Sequence, residues 1–418
     1  MRRSAGDEGE DHLQIIVQKF GGTSVATPEG RRAVVGKIQE AMERGYTPVV
    51  VVSAMGRAGQ PYATDTLIGL LKNGEDDPPA RELDLIMACG EIISVAVMVQ
   101  ALKAAGLEAV GLTGGQAGIL TDRNYGQARI LEVRPEALLR VVREGKVAVV
   151  AGFQGMTADG EITTLGRGGS DTTAAALAVA LGAELLEIFT DVDGVMTADP
   201  RLVQDARPLA TMTYTEICEM AHLGAKVVHP RAVEIAMEGR IPIRIRSTFS
   251  SSPGTLVADG RPIAGVEIKA DKVVTGIAHL DRVALVTIEA EEDVNTTGKV
   301  VAIFASLAEA GISVDMIHVT PFAVSFIVGE EKAALAAEIL GRLGLAVETR
   351  TGVAKVSVVG AGMRGVPGVM ARVAKGLIRA GIPILLCTDS HTNVACRVPA
   401  EEMRHAAEAL HEEFGLGE

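Results

Sequence analysis

Three short stretches combine glycine with charged side chains in ways that suit the handling of small anions. KFGGTS, Lys19 to Ser24, follows the apolar run LQIIVQ. Paired glycines let backbone N–H groups close on an anion and Lys19 adds a mobile positive charge, so the stretch reads as a phosphate loop; the alternative is a glycine turn beside a surface lysine. It is not a Walker A motif, because the G-x-x-x-x-G-K-[ST] spacing is absent. GRGGSD, Gly166 to Asp171, opens an alanine-rich helical run. There Arg167 brings a bidentate guanidinium to a helix N-terminus, Ser170 is placed to cap the helix, Asp171 lies beside it, and a small carboxylate fits the converging donors. TDVDGVMTADPR, Thr190 to Arg201, spaces Asp191, Asp193 and Asp199 partly as a calcium loop does. It lacks the alternating oxygen ligands and the terminal Glu and it follows a strand, which argues against calcium. Thr190, Asp191 and the DPR turn can instead hold a base and ribose, with Arg201 near the phosphates.

Further residues extend this set. Glu91 interrupts an apolar helical stretch next to Gly90, where a buried carboxylate calls for a cationic partner such as a ligand ammonium; an ordinary helix-face charge is the alternative. Ser53 ends the strand PVVVVS on the edge where such sheets bind ligands. In GAKVVHPRAVE, Lys226 is a candidate phosphate contact and His229 a helix-start residue before Pro230. No metal-ligating cluster is expected, and the four scattered cysteines read as small buried hydrophobes of a reducing cytoplasm.

The elements that must position these residues alternate: strand-length apolar runs and amphipathic helices follow one another from Leu13 onward, the pattern of a mainly parallel sheet with helices on both faces. Thr27 and Pro28 give a helix start, and a long helix is expected around Arg81 to Ala105. With 418 residues, 48% of them hydrophobic, the chain can fill two or three domain cores. A net charge of -13 and 3% aromatics exclude a nucleic-acid partner on charge and stacking grounds. No run approaches the ~18 uninterrupted apolar residues of a membrane span. The opening twelve residues read as a disordered leader rather than a secretory signal. Ser, Pro and Gly cluster between Phe249 and Gly265, which sets a boundary: residues 13–260 form one domain and 261–270 a linker.

Beyond the linker the sequence repeats. GKVVAIFASLAEAGI (Gly298 to Ile312) and GVMARVAKGLIRAGI (Gly368 to Ile382) align without a gap, and each is flanked by apolar strands and a second helix. The unit is βαββαβ, the ferredoxin-like arrangement, assigned to 271–345 and 346–418. Inside the second copy, VSVVGAGMRG has the letters G-x-G-x-x-G at Gly360, Gly362 and Gly365. No βαβ unit of nucleotide-binding size follows it, so the glycines are read as a turn into a helix near Val366, shaping the mouth of an effector pocket.

Taken in order, KFGGTSV, VVSAMG, CGE, LTGGQAGILTD, VVAGFQG, TLGRGGSDTTA, TDVDGVMTADPR, GAKVVHPRAVE and PIRIRSTF resemble the aspartate kinases over essentially the whole chain after the leader. GRAGQPYATDTL and ILLCTDSHTNV resemble, more narrowly, the diaminopimelate-sensitive isoform of Gram-positive bacteria. The resemblance implies an amino-acid-kinase fold followed by two ACT units. It further implies phosphoryl transfer from MgATP to the side-chain carboxylate of L-aspartate, the first step toward lysine and diaminopimelate, threonine and methionine. By the same resemblance Lys19, Phe20, Gly21, Gly22 and Lys226 meet ATP; Thr190, Asp191 and Val195, Met196, Thr197, Ala198, Asp199, Pro200 and Arg201 surround adenine and ribose. Ser53, Thr64, Glu91, Arg167, Ser170 and Asp171 hold aspartate, with Lys19, Arg167 and Asp171 as the catalytic group. Met196 stands where family members often have Tyr, and an insertion separates Ser53 from Thr64. A cytoplasmic homo-oligomer joined through the ACT units is implied. Its amino-acid effector (diaminopimelate, lysine or threonine) is expected near Asp315, Met316, Ile317, Pro367 and Gly368. The alternatives are a related kinase acting on glutamate or acetylglutamate, and an inert amino-acid sensor.

Overall fold

Apolar runs such as PVVVV have no polar face to show to water, so they can fold only as central strands covered on both sides. The computed structural model describes residues 13–72, 78–225, 227–259, 273–289, 298–363 and 365–418. The expected leader, the 261–270 linker and Lys226 lie outside these residues. The chain divides into one unit of Met1–Val195, Pro208–Ala221 and Lys226–Lys269 and another of Met196–Arg207, His222–Ala225 and Ala270–Glu418.

In the first unit eight strands lie in the order Thr211–Met212, Thr255–Val257, Ile243–Ser247, Leu185–Thr190, Ile15–Phe20, Thr47–Val52, Val147–Ala151 and Ala109–Leu112. Only Ile243–Ser247 and Thr255–Val257 pair antiparallel within it. The helix Pro28–Glu43 begins as its sequence requires: the Thr27 hydroxyl accepts from Gly30 N at 3.1 Å and Pro28 occupies the first turn. Phe20 and Phe189, on adjacent strands, stack with centroids 4.6 Å apart inside the core. A second sheet of short strands, in the order Ile130–Val133, Ile119–Thr121, Gln154–Met156, Ile162–Thr164, was not evident from periodicity.

The helix Ala80–Ala104 packs on both sheets. An 18-residue window of it has mean hydropathy 2.1, apolar enough by length and composition to cross a membrane. It nonetheless buries Asp84 and Glu91 on one face, seven residues apart, in contact with strands of both sheets. That places it as a core helix.

In the second unit the repeat is plain in the backbone. Gly298 and Gly368 have φ of 69° and 94° and precede the helices Lys299–Glu309 and Val369–Arg379. The second of these therefore starts three residues later than Val366, after a short 3-10 turn at Ala361–Met363. The six strands lie in the order Asp315–Thr320, Ala323–Gly329, Gly276–Glu289, Ala346–Val359, Asn393–Pro399, Leu386–Asp389. The two 14-residue central strands serve both copies, since Val283 to Glu289 pairs with Ala346 to Val353 while Gly276 to Leu280 pairs with Lys355 to Val359. The second copy is thus closed by a strand that precedes the first, and the copies interlock where sequential ranges of 271–345 and 346–418 were expected. Each keeps its own core, one around Phe326 and Leu307, the other around Leu377, Val356 and Leu410.

Candidate active site

A cavity of about 500 Å³ opens at the carboxyl ends of the first unit's central strands, where parallel sheets leave backbone groups and helix N-termini pointing at a ligand. Its wall collects residues distant in sequence: Lys19 and Gly22, Ser53 and Thr64, Glu91, and the loop from Gly166 to Asp171.

Glycines make the loops fit. A Cβ on Gly22 would lie 2.4 Å from Ala54 O and 2.9 Å from Gly56 O, so only glycine lets the loops after the first two strands touch. Gly168 has φ 69°, and a Cβ there would strike the His229 ring at 2.1 Å. That residue, not Ser170, sits at the N-cap of the helix Gly169–Ala180; the expected side-chain cap is replaced by a left-handed glycine, and Ser170 lies in the first turn facing the cavity.

Lys19 Nζ lies 2.6 Å from Asp171 Oδ1, both side chains nearly buried, and Asp171 Oδ2 accepts from His229 N at 3.2 Å. Glu91 is 3% exposed. Its Oε1 accepts from Ala54 N at 3.0 Å, while Oε2 has no partner among the described residues. Burial raises its pKa from 4.5 to about 8, against the lowering effect of the Ala54 hydrogen bond. Arg167 is exposed on the rim, and no described residue pairs with it. The cavity therefore presents an ammonium, a guanidinium, two backbone-rich loops and one buried carboxylate with an open oxygen. Such a set can hold a zwitterion and neutralise phosphoryl oxygens.

The other expected residues separate. Thr190 ends the strand next to Lys19's, and Asp191 is ion-paired to Arg57 at 2.8 Å. The Phe20 side chain is fully buried against Phe189, which leaves only its backbone for a ligand. Gly21 lies between Lys19 and Gly22 on the loop itself. Val195 N donates to Thr255 Oγ1 at 2.8 Å. From Met196 onward the segment belongs to the second unit. Thr197 and Ala198 are each 3% exposed there, and Thr197 Oγ1 lies 2.9 Å from His411 Nε2. Asp199 is held by Arg201, and Pro200 stands between them. Ala198 packs in the second copy's core and the Thr197 hydroxyl meets His411, so neither side chain lines the cavity. Among the effector candidates, Asp315 is 2.5 Å from the buried Lys355 Nζ and so already has a cationic partner. Met316 is buried with φ 48°, while Ile317, Pro367 and Gly368 are exposed. Sequence reasoning missed Gly126 and Phe153, which also line the cavity; Phe153 has φ 70°, a strain no local pattern announces.

The class is defined by residues 14–247, which match the model of the amino acid kinase family, and by 356–414, which match an ACT domain. Aspartokinase 1 of Bacillus subtilis (strain 168) is 48% identical over 404 residues, 97% of this chain and 100% of the relative. The aspartokinase of Geobacillus stearothermophilus is 43% identical, with 97% and 98% covered. Among solved structures, E. coli aspartokinase III in complex with aspartate and ADP matches with a TM-score of 0.80 at 25% identity, covering 96% of this chain and 99% of that one. The same enzyme with lysine and aspartate matches at 0.76 and 26%, with 96% and 99% covered. The chain belongs to the aspartokinase family.

Proposed function

We propose that the 500 Å³ cavity is the site at which this chain transfers the γ-phosphoryl group of ATP to the side-chain carboxylate of L-aspartate. The product is 4-phospho-L-aspartate, which commits carbon to lysine and diaminopimelate, threonine and methionine. The observation that carries the reading is the convergence of Lys19, Glu91, and Arg167 together with Asp171 on one cavity from three separate segments.

A carboxylate is already a competent nucleophile, so the chemistry asks for placement and charge neutralisation. Arg167 takes a substrate carboxylate, the open Oε2 of Glu91 takes the ammonium, and Ser53, Thr64 and Ser170 supply hydroxyl contacts. Lys19, steadied by Asp171, and the backbone of Gly21 and Gly22 face the phosphates; Thr190 and Asp191, with Lys226, serve the nucleotide. Among the described residues no three metal-ligating side chains converge. This donor set fits Mg²⁺ carried by the nucleotide, since that ion keeps waters and phosphate oxygens and asks few ligands of the protein. When bound it neutralises charge on the transferring group.

The six-stranded sheet is read as the regulatory part. Its outer strand Asp315–Thr320 leaves Ile317 and Val319 exposed, with Phe322 just beyond, and an apolar edge of this kind, without a further strand among the described residues, suits homo-oligomer formation. An amino acid of the pathway, diaminopimelate, lysine or threonine, is the effector. The four free thiols accord with a reducing cytoplasm. ADP release measured with aspartate, glutamate and acetylglutamate, with and without each end-product, tests both halves: turnover with aspartate alone is expected, and its absence overturns the reading.

A further inference from the structure

Asp84 is fully buried, yet no cation accompanies it among the described residues. Three donors close on its carboxylate. Gly126 N is shared between Oδ1 and Oδ2 at 2.9 and 3.0 Å, Thr164 N reaches Oδ2 at 2.7 Å, and Thr164 Oγ1 reaches Oδ1 at 2.7 Å. A buried carboxylate without such donors would be very costly, so the two loops and the helix must move together or not at all.

The donors belong to segments that build the cavity. Gly126 lines it, and Thr164 lies three residues before Arg167. The segments are also tied to each other: Ala128 N donates to Thr164 O at 2.9 Å, and a Cβ on Gly166 would lie 3.1 Å from Gly126 O. The other end of the arrangement is Glu91, two turns along the same helix face and about 10.5 Å away along the axis. Arg167 itself is exposed and has no described partner, so only its loop fixes where the guanidinium can reach.

We propose that Asp84 is a positioning residue for the amino-acid half of the site, setting the distance between the Arg167 loop and Glu91 by holding Gly126 and Thr164 onto the helix that carries Glu91. The inference rests on the reading of the cavity as the aspartate site; aspartate-dependent turnover by the unaltered chain is the control that separates a failure of that reading from a failure of this one.

The test is steady-state kinetics of the full chain carrying Asp84→Asn, Thr164→Val or Thr164→Ser, with thermal melts alongside. In Asp84→Asn the amide oxygen at the Oδ2 position can keep Thr164 N and one limb of the shared Gly126 bond, and the NH₂ at the Oδ1 position can donate to the turned Thr164 hydroxyl, but that NH₂ then opposes the other limb from Gly126 N–H and the grip on the loop weakens. Asp84→Asn is expected to raise the KM for aspartate about tenfold or more, with the KM for ATP changed less than about twofold and kcat less than about threefold. Thr164→Val is expected to shift the same constant about three- to fivefold, and Thr164→Ser, which restores the hydroxyl, to return it to the starting value. An unchanged aspartate KM in folded Asp84→Asn, a parallel rise in both KM values, or Thr164→Ser as impaired as Thr164→Val would each overturn the proposal. Should Asp84→Asn not accumulate folded, the valine and serine variants decide the matter by themselves.

Discussion

In the cavity Glu91 is buried with one oxygen unmatched by any described residue, and Arg167 reaches out with no described counter-charge. In the second unit the buried Lys355 of the six-stranded sheet ends 2.5 Å from Asp315, and the Thr197 hydroxyl ends 2.9 Å from the ring of His411 on the helix Met403–Glu413. The sheet has exceptions in the Ser357 hydroxyl and two Arg397 nitrogens, although Arg397 still reaches Leu385 O through its remaining one. The difference separates two uses of polar burial. Open valences in the cavity await a ligand at the expense of stability, while closed pairs in the sheet hold the fold. Substitutions in the cavity should therefore damage turnover and spare the melt, and substitutions in the sheet should do the reverse.

The widest separation is expected from Arg167→Ala. With the guanidinium gone, aspartate-dependent kcat/KM should fall by about 10²–10³. The melting temperature should stay within about 1 °C, because no described contact is broken. A variant that keeps full turnover would remove Arg167 from the site and weaken the contrast at its strongest point. The counterpart in the sheet is Leu377→Ala. Leu377 is fully buried in the second copy's core, so truncation should cost about 2–5 kcal/mol by denaturant unfolding. The aspartate KM of the folded remainder should not change.

The asymmetry also explains what the sequence could tell. Cavity loops were legible because glycine, lysine and arginine at strand ends form a local pattern in the sequence, as in KFGGTS and GRGGSD, and residues of both loops line the cavity. The repeat was legible from Gly298 and Gly368, whose left-handed backbones recur at the same place in each copy. The closure of the second copy by Gly276 to Leu280 was not, because a strand's partner is chosen by tertiary packing and leaves no mark in its own alternation. Asp84 was hidden for a similar reason, its partners lying 42 and 80 residues away. The burial of Thr197 against His411 was not legible, because the continuous motif TDVDGVMTADPR crosses from one unit to the other between Val195 and Met196.

Glu91 sharpens the contrast through pH. Its pKa, raised by burial to about 8, means the unliganded carboxyl is mostly protonated at pH 7. Holding an ammonium requires the carboxylate, so binding should release a proton and the KM for aspartate should fall as the pH rises from 7 toward 8. In Glu91→Gln that dependence should vanish and the KM should rise about 10- to 100-fold, the loss of one charge-assisted contact. Stability should move the other way. A raised carboxyl pKa imposes a penalty absent below 4.5 and growing as the pH rises toward 8, so Glu91→Gln should melt at or above the parent temperature at neutral pH. A lower melt at pH 8 would place Glu91 among the closed groups and break the comparison.

The smallest effect is expected from His411, the closed group whose charge can be switched. It is 3% exposed, and burial lowers its pKa below 6.5, partly opposed by Asp205. The unfolded chain therefore takes up a proton near pH 6.5 while the folded chain does not. The contribution is complete above that pH and is lost as the pH falls through 6.5 toward the lowered folded value. One proton allows at most about 1.4 kcal/mol per pH unit. Melts of the full chain between pH 7.5 and 5.5 should show the transition weakening on the acid side, and His411→Gln, which can still bond Thr197 but cannot titrate, should flatten that decline. Aspartate KM, measured in the same buffers, should not distinguish His411→Gln from the parent, because the imidazole and Thr197 complete one another inside the second unit. An unaltered acid slope would show that the sheet's pH sensitivity resides elsewhere, whereas a changed aspartate KM would show that a closed pair in the sheet reaches the cavity after all.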